Sequence, residues 1–194
     1  MMADAETKRS DTTPLVSVVI TTYNRADIVP RAVRSVQNQE YDRIEIILVD
    51  DASTDATREV CTELESAHDE VTYLRNEQNQ GVAYGINRGF DYASGEYLAH
   101  LGDDDEWTNE LKLQKQVDTF EHGDSQLGFV TSGFFVYSES KNKIKRTVRP
   151  SRPNNLERYI LKQNKIFPSS AVLIRAQAVD AVGGCDENIP RGVD

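Results

Sequence analysis

Residues 15–22, LVSVVITT, and 44–49, IEIILV, are nearly unbroken apolar runs rich in β-branched side chains. A strand with one face in water alternates polar and apolar residues. Runs like these must instead be buried on both faces, as in a parallel sheet. Shorter runs follow at 71–74 and 97–101. Between and after them apolar residues recur at helical spacing: Val29, Ala32, Val33 and Val36, then Ala56, Val60 and Leu64, then Val82, Ile86, Phe90 and Ala93, then Leu113, Val117 and Phe120. Strand alternating with helix predicts an α/β domain, a three-layer sandwich with a mainly parallel central sheet. Right-handed crossovers bring the C-terminal ends of the parallel strands to one edge, where open α/β sheets bind ligands.

Local signals set the expected boundaries. Asp27 is placed to cap the first helix, whose first turn tolerates Pro30. Ser53 or Thr54 is placed to cap the second, with Asp55 favourable in its first turn. Residues 76–81, NEQNQG, read as a turn, and Gly95 as the stop of the third helix. Helix is expected to resume at Trp107, capped by Asp105. After Gly128 the pattern changes. Residues 129–137 form a β-rich run, and 141–152 are basic and read as a hairpin arm or loop. Leu156, Tyr159 and Ile160 suggest a short helix. Residues 169–174 read as a strand and 176–182 as a helix broken by Gly183 and Gly184. Residues 1–13 lack the apolar core of a signal peptide and read as a disordered leader. Residues 14–122 and 123–194 read as two halves of one domain. The ending at Asp194 suggests a piece of a longer chain.

Charge and cysteine content exclude several function classes. The chain carries 22 basic and 32 acidic residues, a net charge of −10. Such a surface disfavours non-specific binding to nucleic acid or to an anionic membrane. Cys61 and Cys185 are far apart and in no CxxC spacing. That argues against a disulfide framework or a zinc site and fits a reducing cytoplasm. No apolar run approaches the ~20 residues of a membrane span.

The most informative loop lies within residues 96–107, EYLAHLGDDDEW, where a strand-like run ends in Gly102 and then Asp103, Asp104 and Asp105. Carboxylates this close repel one another and gain nothing for a core. A divalent cation removes that cost, and hard oxygen ligands suit Mg²⁺ or Mn²⁺ with positions left open for substrate phosphates. The competing reading is a solvated acidic turn that caps the next helix. The predicted sheet edge also collects Thr21, Thr22 and Tyr23, and Asp50 and Asp51. An exposed aromatic such as Tyr23 offers a ring face to a base. Either Asp50 or Asp51 could accept a hydrogen bond from a base N–H, or both could simply cap a helix.

Together VSVVITTYNRAD from Val16, ILVDDASTD from Ile47, NQGVAYGINRGFDYASGEYLAHLGDDDEW from Asn79 and SSAVLIRAQAVDAVGGCDENIPRGVD from Ser169 resemble glycosyltransferase family 2, the inverting enzymes with the GT-A (Rossmann-like) fold. The resemblance covers nearly the whole chain after the leader. It implies a nucleotide-sugar donor, a UDP-sugar first and a GDP-sugar second. It implies Mn²⁺ or Mg²⁺ as cofactor and a glycan, lipid-linked or small-molecule acceptor, with no nucleic acid partner. It implies that Thr21 and Tyr23 contact the base, with Asp50 or Asp51 beside it. Asp104 becomes the first metal ligand, and Asp103 reaches the ribose or a metal-bound water. Arg88 approaches the diphosphate, and Gly81 matches a family glycine.

Asp194, ending PRGVD, matches the catalytic base of the family. Relatives often carry aspartate where Gly102 stands and glutamate where Val193 stands, which puts the ribose contact and the reach of the final match in question. Cys185 replaces a frequent phenylalanine and reads as a small core residue; His68, His100 and His122 read as solvated or packing residues. The expected location is the cytoplasm or the inner face of the cell membrane, with attachment open through a segment beyond Asp194. Two rivals follow from the same residues. A nucleotidyltransferase would favour a glycine-rich basic loop after the first strand, and a binding module would hold donor without turnover.

Overall fold

The structure, a computed structural model, describes residues 13–149 and 168–189. Most of the leader, the helix expected around Leu156 to Ile160, and Asp194 lie outside the described residues.

Three parallel βα repeats and a fourth parallel strand build the frame. In chain order these are β1 (Val16–Thr22), α1 (Val29–Gln37), β2 (Ile44–Asp50), α2 (Thr57–Ala67), β3 (Val71–Arg75), α3 (Val82–Tyr92) and β4 (Tyr97–Gly102), followed by α4 (Lys112–Glu121). The second half adds β5 (Phe129–Thr131), β6 (Phe134–Ser138), β7 (Lys143–Val148), β8 (Val172–Arg175) and α5 (Ala176–Val182). The six-stranded sheet runs β3-β2-β1-β4-β8-β5. Its first four strands are parallel, and β8 is antiparallel to both β4 and β5. The sheet is mainly parallel, as expected. The run at 129–137 is split in two, because β6 leaves the sheet to pair with β7 as a separate ribbon.

Period-two alternation sorts β1 between two helical layers. Val16, Val18 and Ile20 face α1, α2 and α4 in a core with Ile46, Leu48, Tyr97, Ala99, Leu101 and Phe120. Tyr97 and Phe120 stack there with centroids 4.6 Å apart. Ser17, Val19 and Thr21 point to the other face, toward α3. That helix meets the strand through glycine. A Cβ at Gly89 would lie 2.3 Å from Val19 Cγ1, and one at Gly85 would lie 3.0 Å from Thr21 Cγ2. The missing side chains let α3 sit close on β1, and this fixes the height of the helix start above the sheet edge.

Several expected caps and faces differ. Ile28, not Asp27, precedes α1, and no side chain caps it; the Ile28 and Val29 N–H groups donate to the Arg25 carbonyl. Neither Ser53 nor Thr54 caps α2, which starts at Thr57 behind Ala56, and the acid in its first turn is Glu59. Ala56 is exposed, and Thr57 and Cys61 take its place in the buried stripe. On α3 Val82 is exposed, while Ala83, Gly85, Ile86 and Gly89 form the buried face. That helix ends at Tyr92, ahead of Gly95. Trp107 belongs to no helix; α4 begins five residues later at Lys112. The indole is instead buried in the core and donates from Nε1 to the Ser170 carbonyl at 2.7 Å. Residues 169–171 form a 3-10 turn ahead of β8 rather than strand. Gly183 and Gly184 end α5 with φ of +80° and +79°, as a left-handed stop. Cys185 is half-buried outside the core, and both cysteines are free.

Candidate active site

The ends of β1, β2 and β4 lie level at one rim. Thr22 is in register with Asp50, and Thr21 with Gly102. The loops leaving these strands carry Tyr23, Asp51 and Asp103 to Asp105. The sheet therefore brings together the residues that the sequence set far apart.

Each loop is stitched to its neighbours. Asn24 adopts a left-handed backbone, φ 54°, and its Oδ1 accepts from the Thr54 N–H at 2.8 Å. In return its own N–H donates to Ser53 Oγ at 2.9 Å, which is why Ser53 is not free to cap α2. Tyr23 stands beside this seam, 43% exposed. Thr21 Oγ1 lies 3.0 Å from His100 Nε2, and His100 Nδ1 lies 2.8 Å from Ser169 Oγ. Burial pushes the His100 imidazole down to about 4, so it is a neutral bridge across the sheet.

Asp50 and Asp51 both have full sets of internal partners. Asp50, wholly buried, accepts from the Ser53 N–H and the Tyr73 hydroxyl, each at 2.8 Å, with Arg75 Nε 3.3 Å away. Asp51 accepts from Asn76 Nδ2 at 2.7 Å, the Gln80 N–H at 2.9 Å and the Gly81 N–H at 2.7 Å. It gathers the 76–81 turn into a fixed bend that ends at Gly81, φ +90°. A Cβ at Gly81 would meet nothing within 4 Å, so the glycine serves backbone conformation, not close packing. Asn76, 1% exposed, also accepts from Arg88 Nη1 through its Oδ1. Arg88 is thus tied to Asp51 through one amide and is held toward the rim.

The acidic loop divides its three carboxylates among three roles. Asp103 is buried, and its Oδ2 accepts from Thr22 Oγ1 at 2.8 Å. Burial raises its pKa, opposed by Thr22, by the charge of Arg25 and by the Tyr23 N–H. Asp104 projects outward with 60% of its side chain exposed, and its Oδ2 lies 3.5 Å from Arg25 Nη1. Asp105 caps no helix; it accepts from Ser170 Oγ, which itself accepts from the Gly102 N–H at 3.2 Å.

One anchored and one open carboxylate fit a divalent cation. Among the described residues no three His, Cys, Asp or Glu side chains converge. An ion held by Asp103 and Asp104 would take its other ligands from phosphate oxygens and water, the habit of Mg²⁺ and Mn²⁺. Arg25 gives a compensating charge at the same place.

Known proteins share both sequence and frame. The family model for "Glycosyl transferase family 2" matches residues 17–183. The chain belongs to glycosyltransferase family 2. This family 2 chain is 38% identical over 105 residues to a putative teichuronic acid biosynthesis glycosyltransferase, TuaG, of Bacillus subtilis, 54% of the chain and 41% of that protein. It is 31% identical over 174 residues to the putative glycosyltransferase EpsE of the same organism, 88% of the chain and 60% of that protein. It is 40% identical over 94 residues to the GalNAc(5)-diNAcBac-PP-undecaprenol beta-1,3-glucosyltransferase of Campylobacter jejuni, 48% of the chain and 30% of that protein. Its matches thus span less than two thirds of the length of each of these relatives. The fold is the GT-A type. The mannosyltransferase PcManGT of Pyrobaculum calidifontis, solved with GDP-Man and Mn²⁺, superposes with a TM-score of 0.69 at 20% identity, over 96% of this chain and 53% of that one. TarS 1-349 of S. aureus superposes with a TM-score of 0.72 at 18% identity, over 92% and 52%.

Four site features were not legible as such in the sequence: Arg25 beside Asp104, Asn76 between Asp51 and Arg88, His100 between Thr21 and Ser169, and Ser170 on Asp105. Only the charge of Arg25, two residues after Tyr23 in a predicted rim loop, offered a signal.

Proposed function

We propose that this chain transfers a sugar from a nucleotide-diphosphate donor, UDP-linked in the first instance, to an acceptor hydroxyl with inversion, and that Mn²⁺ or Mg²⁺ is required. The observation that carries this reading is the shared rim: an exposed aromatic, a fixed arginine and an anchored–open carboxylate pair lie at the level ends of three parallel strands. Tyr23 stacks on the base. Thr21 sets the floor beneath it through His100. Asp51 acts by fixing the 76–81 turn, with Asp50 bracing the loop behind it. Arg88, oriented by Asn76, meets the diphosphate, and Asp103 reaches the ribose or a metal-bound water.

Asp104 is the first metal ligand and Asp103 the second. A bound cation supplies positive charge where the departing nucleotide diphosphate gains negative charge. Asp194 takes the proton of the acceptor hydroxyl as its oxygen bonds to the anomeric carbon. The bond from that carbon to the diphosphate oxygen breaks, and its electron pair leaves with the nucleotide. A single displacement of this kind inverts the configuration. A general base contributes roughly a hundredfold or more in rate. The acceptor is a glycan, a small molecule or a lipid-linked saccharide; the Campylobacter relative, whose name includes an undecaprenol-diphosphate-linked saccharide, supports the last.

Thermal shift with a panel of nucleotide-sugars, in Mn²⁺ and in chelator, tests this reading. A UDP-sugar should stabilise only with metal, and Asp104→Ala should abolish the shift; an unchanged shift removes Asp104 from the metal role. Because the chain spans only part of its relatives, donor binding without turnover is the second reading. Donor hydrolysis in Mn²⁺ separates the two.

A further inference from the structure

The β6–β7 ribbon carries none of the rim residues described above, and its chemistry opposes that of the rest of the chain. The chain has a net charge of −10, yet residues 134–149 carry Lys141, Lys143, Lys145, Arg146 and Arg149 against one acid, Glu139. All five basic side chains are exposed. The ion pairs among the described residues include none of them. Glu139 is already taken by Arg31 at 2.7 Å. The same ribbon exposes Phe135, Val136, Tyr137 and Ile144, the last to 55%. Tyr137 sits opposite Ile144; the register shift between Val136 and Tyr137 places its extra residue, Lys145, on β7, so the alternation of β6 is kept and Phe135 shares the face of Tyr137 and Ile144. Large apolar groups gathered on a thin two-stranded element mark a surface that something covers.

We propose that this ribbon docks on an anionic phospholipid bilayer, with Phe135, Tyr137 and Ile144 entering the headgroup region and the lysines and arginines meeting lipid phosphates. Charge complementarity selects the occupant's sign. The aromatic and aliphatic side chains select its kind, because a bilayer surface presents phosphate and hydrocarbon within a few ångströms of each other. The acidity of the remainder does not prevent this. At physiological salt the screening length is about 8 Å, so charges near the contact govern it, not the chain's total. The expectation drawn from net charge is therefore overridden locally.

The ribbon is also linked to the rim. Arg31 bridges Glu139, at the hairpin tip, to Glu106, directly after the acidic loop, at 2.7 and 2.9 Å. A docked ribbon thus holds the rim close to the membrane surface. The docking needs no donor, so it stands or falls separately from the proposed transfer reaction.

Co-sedimentation of the 194-residue chain, without nucleotide, with vesicles of phosphatidylcholine alone or mixed with phosphatidylglycerol tests this. Binding is expected only to the mixed vesicles and should weaken as salt is raised. Lys143→Gln, Lys145→Gln and Arg146→Gln together should lower the partition coefficient roughly a hundredfold, at about fivefold for each charge. Phe135→Ser with Tyr137→Ser should also lower it while leaving the thermal melt unchanged. Failure to bind the mixed vesicles overturns the proposal, as does binding that neither variant weakens. Capture of the chain by soluble polyphosphate, with the aromatic variant binding vesicles as well as the wild type, would assign the ribbon to a soluble polyanion and also overturn it.

Discussion

Asp51→Asn preserves shape and removes a single acceptor, which makes it a sharp probe of how the rim is held. In the wild type one oxygen accepts from Asn76 and the Gln80 N–H, and the other accepts from the Gly81 N–H. The amide can keep its oxygen toward the first two. Its NH₂ then faces the Gly81 N–H, donor against donor. A hydrogen bond to a charged group contributes about 1.5–3 kcal/mol, and the two bonds that remain lose their ionic character. The expected loss of stability is about 2–4 kcal/mol, or a fall in melting temperature of roughly 5–15 °C for a chain of this size. Urea denaturation followed by circular dichroism gives the first number. Hydrogen exchange at the Gln80 and Gly81 amides shows whether the turn has loosened. UDP affinity should fall with it, because Arg88 is held through Asn76. A loss below about 0.5 kcal/mol, the scatter of ordinary surface changes, with unaltered exchange at Gly81, would refute the claim that Asp51 fixes this turn.

Acidification tests His100. Its folded pKa of about 4 lies below its ordinary value of 6.5, so the unfolded chain binds a proton the native one refuses. That penalty is absent above pH 6.5 and grows as pH falls toward 4, reaching about 3 kcal/mol; urea melts of His100→Gln should lack this slope, and parallel slopes would contradict the buried neutral bridge. Gly89→Ala should cost about 1–3 kcal/mol despite alanine's better helix propensity, since its methyl meets Val19. Combining it with Val19→Ala should recover part of the loss in a double-mutant cycle, and simple additivity would show that α3 has shifted instead.

The sheet was legible in the sequence because burial on both faces forces unbroken apolar runs, as in VSVVITT and IEIILV. The helix starts were not. Ser53 and Asp105 have the composition of caps, but the fold uses Ser53 on the Asn24 N–H and Asp105 on Ser170. Asp55 Oδ1 accepts from the Thr57 N–H from just outside α2. A short polar side chain at a strand end serves whichever backbone or hydroxyl the neighbouring loop brings near, and that neighbour lies far along the chain. The rim itself was legible, since parallel topology alone collects Tyr23, Asp51 and Asp104. The assignment of work within it was not. Asp50 and Asp51 look alike in sequence, yet one braces Tyr73 and Arg75 while the other shapes a turn.

Because β8 runs against β4, Ser169 and Ser170 reach the rim in the turn just ahead of their strand, while His100 and Gly102 reach it in the last half of theirs. Two small hydroxyls therefore join a segment written late in the gene to a sheet rim written early. Hydroxyl contacts of this kind demand little of the surrounding sequence. Later segments can be exchanged or elaborated while the rim keeps its geometry, so diversification can act on one side of the seam without retuning the other.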